Sequence, residues 1–600
     1  MGESVMWSVC FLLSILILTS VSAAAVFIGG KDYKPGRFFT PFRLFYAAVL
    51  ISVFICILPV YTVTDEYPGH VWDGVLFTLH HTLQVFTLDA DRNAILEAIA
   101  NAPHWITGLY SGYMSLIFVA GPLLTVTFLI SFIRNASAYF RTASHYFSDT
   151  YVFSDLNERS LALARDIRKQ HPNVLIVFTD VYSDGDEIST ERIEETREIK
   201  ACCFKKDIQT LDLSRKPERT KLFFFIMGKD ESENITQSLT LIERYRERKN
   251  SILYVFSTGI ESELLLSKAN GTSLKIHRID EVRSLIYRNL YLRGHCLFEN
   301  ALPSGDGQRK ISAVIVGMGQ YGTEMLKALT WYCQMDGYHI QIDAFDSDKQ
   351  SGERFSFLCP ELVSPEYNGV SVPGEAEYTI SLHPDVDVRT STFAKEIYKL
   401  KDTTYVLISL GSDELNIRTA VEMRMLFERM HISPTIQAIV YNSSAKQALA
   451  EAANYRGQRY RIDFIGDTES LYAEDVIINS QLEQEALKSH LRWGKEDEFW
   501  QYEYNYRSSV ASALHKRARI KCGIPGALKS ASDLTDEERR VIESLEHRRW
   551  NAYMRAEGYI YSGSPDKTSR NDLGKMHHDL VPYEKLDETE KRKDSAVATA

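Results

Sequence analysis

No two of the eight cysteines form a C-x-x-C pair. That spacing excludes the common zinc and dithiol redox motifs, and the scatter of the thiols gives no disulfide framework. Reduced thiols in a cytosolic body fit best. An excess of positive charge is also missing. The 68 Lys and Arg face 79 Asp and Glu, for a net charge of −11 and a pI near 5.9, so nucleic acid is not an expected partner. No paired Tyr/Lys or His/Asp arrangement has catalytic spacing, so an enzyme is not expected. The mean hydropathy of −0.20 hides an uneven distribution, an apolar first quarter followed by a polar remainder. Six hundred residues leave room for about four domains of about 150 residues each.

Apolar runs cover about 5–28, 42–63 and 105–133. Each is long enough to cross a bilayer, which takes about 20 residues. Ser22-Ala23-Ala24-Ala25 resembles a signal-peptidase site, but Met1-Gly2-Glu3-Ser4 is acidic where a signal peptide needs basic residues, so the first run is expected to stay as a helix. Lys31, Lys34, Arg37 and Arg43 cluster between the first two runs, and Arg134 and Arg141 follow the third. The 64–104 loop carries six acidic residues against the single Arg92. Positive charge marks the cytoplasmic side. The expectation is a multi-pass protein of the plasma membrane with the N-terminus outside and everything after Arg134 cytoplasmic.

Between the second and third runs lies Gly74–Leu88, with no charged side chain, ending in Asp89-Ala90-Asp91. It is too short to span as a helix but can dip into the membrane where backbone lines water or protein. A span, a dipping segment with a polar end and a second span give the plan of a pore. Thr87, Leu88, Asp89, Ala90 and Asp91 then form the filter region, with the carboxylates as rings that concentrate cations. Thr78, Thr82 and Gln84 can face water or satisfy backbone near it. The alternative is an interfacial amphipathic helix with a solvated Asp turn. Gly121-Pro122 interrupts the third run, where a proline kink can serve as a gating hinge.

The remainder alternates short apolar strands with helical patterns. Strands are expected at 151–153, 174–178, 222–226 and 252–256, then at 311–316, 339–345, 405–408, 436–440 and 462–465, giving two parallel α/β domains. The strand ending at Val316 runs into Gly317-Met318-Gly319-Gln320-Tyr321-Gly322, and the next ends at Asp346. This is a dinucleotide fingerprint: glycines admit a phosphate to a helix N-terminus, and the carboxylate takes ribose hydroxyls. The alternative is that Gly317, Gly319 and Gly322 serve only the turn and its packing. Ser154, Leu156 and Arg159 stand at the equivalent places in the first domain, so that domain is expected to be structural. The acidic stretch Asp180–Glu198 does not match an EF-hand and is expected as a solvated loop.

A pore followed by two tandem Rossmann-like domains resembles channels gated by regulator-of-potassium-conductance (RCK) domains over about residues 40–480. Those channels share a Thr-Val-Gly-Tyr-Gly filter, and Phe86-Thr87-Leu88-Asp89-Ala90-Asp91 stands in its place here, which implies a weakly selective cation pore. The last 110 residues carry His547-x-x-Trp550, Gly558-Tyr559, Lys575-x-His577 and Leu580-Val581-Pro582-Tyr583. This stretch resembles the ryanodine-receptor repeat (RyR) domain over about 540–595, with His577-His578 where related sequences often have His-Pro.

The resemblances imply a membrane pore domain at 1–140, RCK-type domains at 146–300 and 308–485, and a small, mainly α RyR-like domain at 486–600. They imply a homotetrameric, ligand-gated cation channel. Its gating ligand is expected to be a nucleotide (NAD or ADP-ribose type, ATP, or cyclic nucleotide). A narrower expectation makes the channel an antiphage-defence effector, opened by a messenger made during infection. Arg507, His547, Trp550, Tyr559 and Lys575 are the candidate ligand residues, since aromatic rings beside cations suit a base and a phosphate. Core packing is the competing role for the same aromatics, and a nucleotide sensor tethered to the membrane without a pore is the competing function. The tail Asp587–Lys593 is expected as a solvated helix end.

Overall fold

The structure, a computed structural model, describes residues 2–30, 39–62, 71–87, 89, 91–100, 102–181, 187–259, 272–305, 307–363, 366–367, 370–371, 378–449 and 451–591. The chain divides into two compact units, Met1–Leu156 with Val174–Thr220, and Asn157–Asn173 with Lys221–Ala600.

In the first unit the apolar runs become helices Gly2–Gly30, Phe39–Thr62 and His104–Ser144. All three contain a stretch long and apolar enough to cross a membrane. Between the second and third stand two shorter helices, Val71–Thr87 and Arg92–Ile99. Trp7, Phe11, Val53, Ile57, Ile106, Tyr110 and Met114 share one core. Polar groups inside it are paired, with Ser52 Oγ 2.7 Å from the Tyr113 hydroxyl and the Tyr110 hydroxyl donating to the Cys56 carbonyl. Leu12, Leu16, Leu109, Leu116, Val119 and Leu123 point outward, as they would toward lipid. Pro122 lies inside a helix that continues on both sides of it.

The same unit carries parallel strands Thr150–Phe153, Leu175–Phe178 and Cys202–Cys203, in register Thr150 to Leu175 and Val177 to Cys202. Of the stretch expected as an acidic solvated loop, Glu187–Glu198 is a helix. Its charges alternate with Ile193 and Thr196, and Thr196 is buried, so one face packs. Residues 182–186 lie outside the described residues.

The second unit holds strands Leu222–Ile226, Ser251–Phe256 and Lys275–Ile279, parallel to one another. It also holds a sheet whose six parallel strands run across in the order Tyr378–His383, Tyr338–Phe345, Arg309–Val316, Tyr405–Ile408, Thr435–Ile439 and Ile462–Ile465, with the short Leu302–Pro303 antiparallel beside Arg309–Val316. In chain order that is 3-2-1-4-5-6, the doubly wound Rossmann-like arrangement, with its switch point at the first strand. Lys275–Ile279 and Tyr378–His383 escape a search for apolar runs because charged or half-exposed side chains alternate along them.

One local device occurs twice in this unit. Asn234 Oδ1 accepts from Gly228 N–H (2.9 Å) while its Nδ2 donates to the Phe256 carbonyl (3.1 Å). Asn416 likewise accepts from Leu410 N–H (2.6 Å) and donates to the Ile439 carbonyl (2.9 Å). Three residues before each asparagine an acid holds backbone amides beyond the next strand: Glu231 those of Thr258 and Gly259, Asp413 those of Tyr441 and Asn442. Acid-x-x-Asn thus locks a helix start to two strand ends in both α/β domains.

The C-terminal part is mainly helical: Gln481–His490, Glu496–Gln501, Glu503–Lys521 and Asp536–Ala556, with short strands Ile560–Tyr561 and Met576–His577. Thr535 and Glu538 form a reciprocal capping box at the start of Asp536–Ala556.

Candidate functional site

The helix Asp536–Ala556 places Glu546, Arg549 and Trp550 within one turn and a half. With Tyr504 and Ser512 from Glu503–Lys521, and Arg570, His577 and His578 from the segment after Tyr561, they line a cavity of about 650 Å3. Glu546 and Arg549 are each 1 % exposed and paired at 2.8 Å. Glu546 Oε1 accepts from Arg549 Nε and Nη2 and from the Ser512 hydroxyl. Its Oε2 lies 3.7 Å from Arg519 Nη1. That oxygen and Arg549 Nη1 have no hydrogen-bond partner among the described residues, and neither does His578 Nδ1. Glu546 Oε2 also lies 4.0 Å from His515 Nδ1, so the carboxylate sits among three basic side chains.

The aromatic wall is ordered by contact. His577 meets the Trp550 ring edge-on, with centroids 4.9 Å apart at 77°, and stacks on His578 at 4.9 Å and 7°. Burial, reinforced by the nearby Arg570, pushes the His577 imidazole down to about 3, so it is neutral at physiological pH. His577, His578 and Asp579 bring three donor atoms close together. Parallel stacking points the in-plane lone pairs of the two rings side by side instead of at one point, and His577 Nδ1 already accepts the Asp579 N–H at 3.1 Å. The two stacked rings therefore do not aim their lone pairs at one common position.

Of the five candidate ligand residues, two line this cavity. Trp550 is half-buried with its ring on the wall. His547 Nε2 sits 2.8 Å from the Val581 carbonyl, which also accepts from Asn551, so the histidine anchors the Leu580-Val581-Pro582 segment to the helix. The other three do other work. Lys575 Nζ donates to the Glu557 carbonyl at 2.6 Å and satisfies the end of the Asp536–Ala556 helix. Tyr559 packs near Tyr504, with centroids 6.4 Å apart. Arg507 binds Glu503 at 2.5 Å and lies 3.6 Å from Glu557, beside a separate cavity of about 150 Å3 shared with Arg278 and Arg283. Burial alone would raise the Glu557 carboxyl, but Arg283 and Arg507 hold it down at about 2. Glu546 and Arg549 were legible in the sequence only as a charged i, i+3 pair beside Trp550. The tail also differs from expectation, since Glu590 is buried, pairs with Lys567 at 2.8 Å and lines the large cavity.

The glycine loop sits at the sheet's switch point. Gly317 has φ +94 and its Cβ would strike the Ser409 carbonyl, while a Cβ on Gly322 would collide with the Gly317 carbonyl. Gly319 faces open space and starts the helix Gln320–Tyr332 without a side-chain cap. Asp346 is turned inward: Oδ2 accepts from Met318 N–H at 2.6 Å and Oδ1 from Asp348 N–H at 2.7 Å. Two glycines are thus explained by packing alone, and the carboxylate braces its own loop. In the first α/β domain, Arg159 is bound to Glu281 at 2.8 Å and reaches the carbonyls of Met227 and Gly228, leaving its guanidinium committed to structure.

In the membrane-type part, Val71–Thr87 packs between its long neighbours. Tyr61 stacks on His81 at 4.7 Å, and Phe86 meets Tyr46 edge-on at 5.7 Å. The hydroxyls of Thr78 and Thr82 are buried and donate to Gly74 and Thr78 carbonyls at 2.7 Å, so they serve the helix instead of facing water. Asp91 Oδ1 caps Arg92–Ile99 through Asn93 and Ala94 N–H; Asp89 and Asp91 are both exposed. Leu88 and Ala90 lie outside the described residues. A Cβ on Gly121 would lie 3.3 Å from the Val85 carbonyl, so this glycine admits the close approach of the two helices.

No protein-family model matches this chain, and no curated protein matches it. Among solved structures it is similar to one of the subunits of dipicolinate synthase from Bacillus halodurans, with 10% identity over 54% of this chain and 94% of that one, at a TM-score of 0.19. A likeness that remote carries no functional inference.

Proposed function

We propose that the protein is a ligand-gated, weakly selective cation channel of the plasma membrane, assembled as a homotetramer and opened or closed by a nucleotide-type ligand in the C-terminal cavity. The observation that carries the pore reading is the helix Val71–Thr87. At 17 residues it is about 25 Å long, short of the roughly 30 Å hydrocarbon core. It packs between two membrane-length helices and ends in a link bearing the exposed Asp89. Four such links around one axis would set a ring of carboxylates at an outer mouth, with the α/β domains on the cytoplasmic side by the positive-inside rule. The absence of a glycine-rich filter sequence favours weak selectivity.

The resemblance to RCK and RyR domains supports a cytoplasmic gating role, in which a ligand shifts a closed–open equilibrium by its differential affinity for the two states. Depolarisation of an infected cell is one use of such a pore. The test is recording in planar bilayers with the purified protein, with and without a nucleotide panel. Ligand-dependent cation current is expected. Absence of current under every ligand, with protein shown to be inserted, would overturn the pore reading and leave the membrane-tethered sensor.

A further inference from the structure

We infer that residues 586–591 form a strap over the C-terminal cavity, whose Glu590 carboxylate occupies Lys567 and is displaced from it by a phosphate of the bound nucleotide. This rests on reading that cavity as the ligand site. The segment reaches the cavity at two points. Leu586 and Glu590 are buried and line it, while Asp587, Glu588 and Thr589 between them are exposed. Asp587 Oδ1 accepts the N–H groups of Thr589 and Glu590 at 2.8 and 2.9 Å, and the Asp587 carbonyl accepts from Lys591 N–H at 3.1 Å. The turn so formed brings Glu590 to Lys567 at 2.8 Å. One turn of helix has little stability of its own. The Lys567 side chain is 55 % exposed, so water competes for the ion pair and the contact is weak. Such a contact can be exchanged for a ligand.

Charge gives the exchange its direction. Lys567, Arg549 and Arg570 line the cavity together with Glu546, Asp579 and Glu590, so the lining is balanced with Glu590 in place. Glu546 and Arg549 are paired with each other in the wall. Lys567 and Arg570 are the half-exposed cations, and both belong to one turn, where Arg570 N–H reaches the Lys567 carbonyl. Arg570 Nε binds Asp572 at 2.9 Å, and its two terminal nitrogens bond no described residue. Asp587, 3.7 Å from the same ammonium, moves with Glu590. Lifting the strap therefore takes two carboxylates away and leaves two neighbouring cations able to hold a phosphate by charge-assisted hydrogen bonds. A phosphate entering beside Glu590 meets a like charge instead. Trp550 on the same wall offers the flat face on which a base stacks.

The experiment is calorimetric titration of the full-length protein in detergent with ATP, ADP-ribose, 3′,5′-cyclic AMP and adenosine, joined to limited digestion by trypsin. At least one phosphate-bearing probe is expected to bind, and Trp550→Leu should weaken it about tenfold, with unchanged thermal unfolding showing that the fold persists. Glu590→Gln should tighten that binding about three- to tenfold and leave adenosine unaffected, while Lys567→Ala should weaken it by a similar factor. In the wild type, saturation with the same probe should speed cleavage after the exposed Lys585 as residues 586–591 leave the cavity. Binding that depends on Trp550 but is not tightened by Glu590→Gln, or that brings no faster cleavage after Lys585, overturns the strap while the cavity remains a ligand site. Equal tightening of adenosine overturns the phosphate exchange in the same way. Binding that ignores Trp550→Leu, or no binding by any probe, overturns both.

Discussion

Glu483 is half-buried on the helix Gln481–His490, and the Tyr506 hydroxyl of Glu503–Lys521 donates to its Oε1 at 2.5 Å. Burial pushes this carboxyl up to about 7. The sign follows from linkage. The unfolded chain releases the proton near the ordinary glutamate value, about 4.3, while the folded chain keeps it, so stability falls as pH rises from about 4 to 7 and levels off above. Glu483→Gln should abolish that loss and stabilise the protein at pH 8 by about 2–3 kcal/mol, measured by denaturant unfolding at pH 5 and pH 8. The glycine loop gives a second test with opposite outcomes at neighbouring positions. Gly322→Ala should destabilise by more than about 2 kcal/mol because its Cβ meets backbone, whereas Gly319→Ala, in open space, should change stability by less than about 0.5 kcal/mol. If a dinucleotide uses this loop, Gly319→Ala alone will weaken its binding without a stability change. Both glycines read identically in the sequence, because what separates them is the distance to carbonyls brought in by the fold.

Among the elements, the junction where the His104–Ser144 helix passes into the first strand is held by Lys216. Its Nζ donates to the carbonyls of His145 and Ser148 and to the Thr150 hydroxyl, at 2.9, 3.1 and 2.6 Å, and the residue is 5 % exposed. Lys216→Met should lower stability by about 2–3 kcal/mol and, in the channel reading, weaken ligand-dependent opening while leaving single-channel conductance unchanged. Thermal unfolding and single-channel records check the two parts. Most of these elements were legible as patterns: the three apolar runs became helices, and the nine expected strands lie within a few residues of where their apolar runs stand. The acidic helix Glu187–Glu198 and the edge strand Tyr378–His383 were not, because each buries only part of its surface and carries no apolar run. The paired Asn234 and Asn416 devices were visible as acid-x-x-Asn in both domains, but their meaning depends on which strand ends they reach.

For the whole molecule, the link after Val71–Thr87 separates two acids that look equivalent on paper. In the channel reading, Asp89→Asn should reduce single-channel cation conductance about two- to threefold at low ionic strength, with the difference fading at high salt as a ring of carboxylates would be screened. Asp91→Asn should leave conductance and stability nearly unchanged, since asparagine caps a helix as well as aspartate does. Equal effects of the two substitutions would show that Asp91 faces the permeation path after all.

Hydropathy, loop charge and strand periodicity are properties of neighbours along the chain, and they were enough to place three membrane-length helices and two parallel α/β sheets, and to suggest an aromatic and basic ligand domain. Which side chains are left without partners is a property of folded distance. It needed the packing of Asp536–Ala556 against Glu503–Lys521 and the turn at His577 to show that Arg507 and Lys575 are committed to structure, that Asp346 braces its own loop, and that Trp550 stands on the wall of a cavity beside the buried Glu546–Arg549 pair.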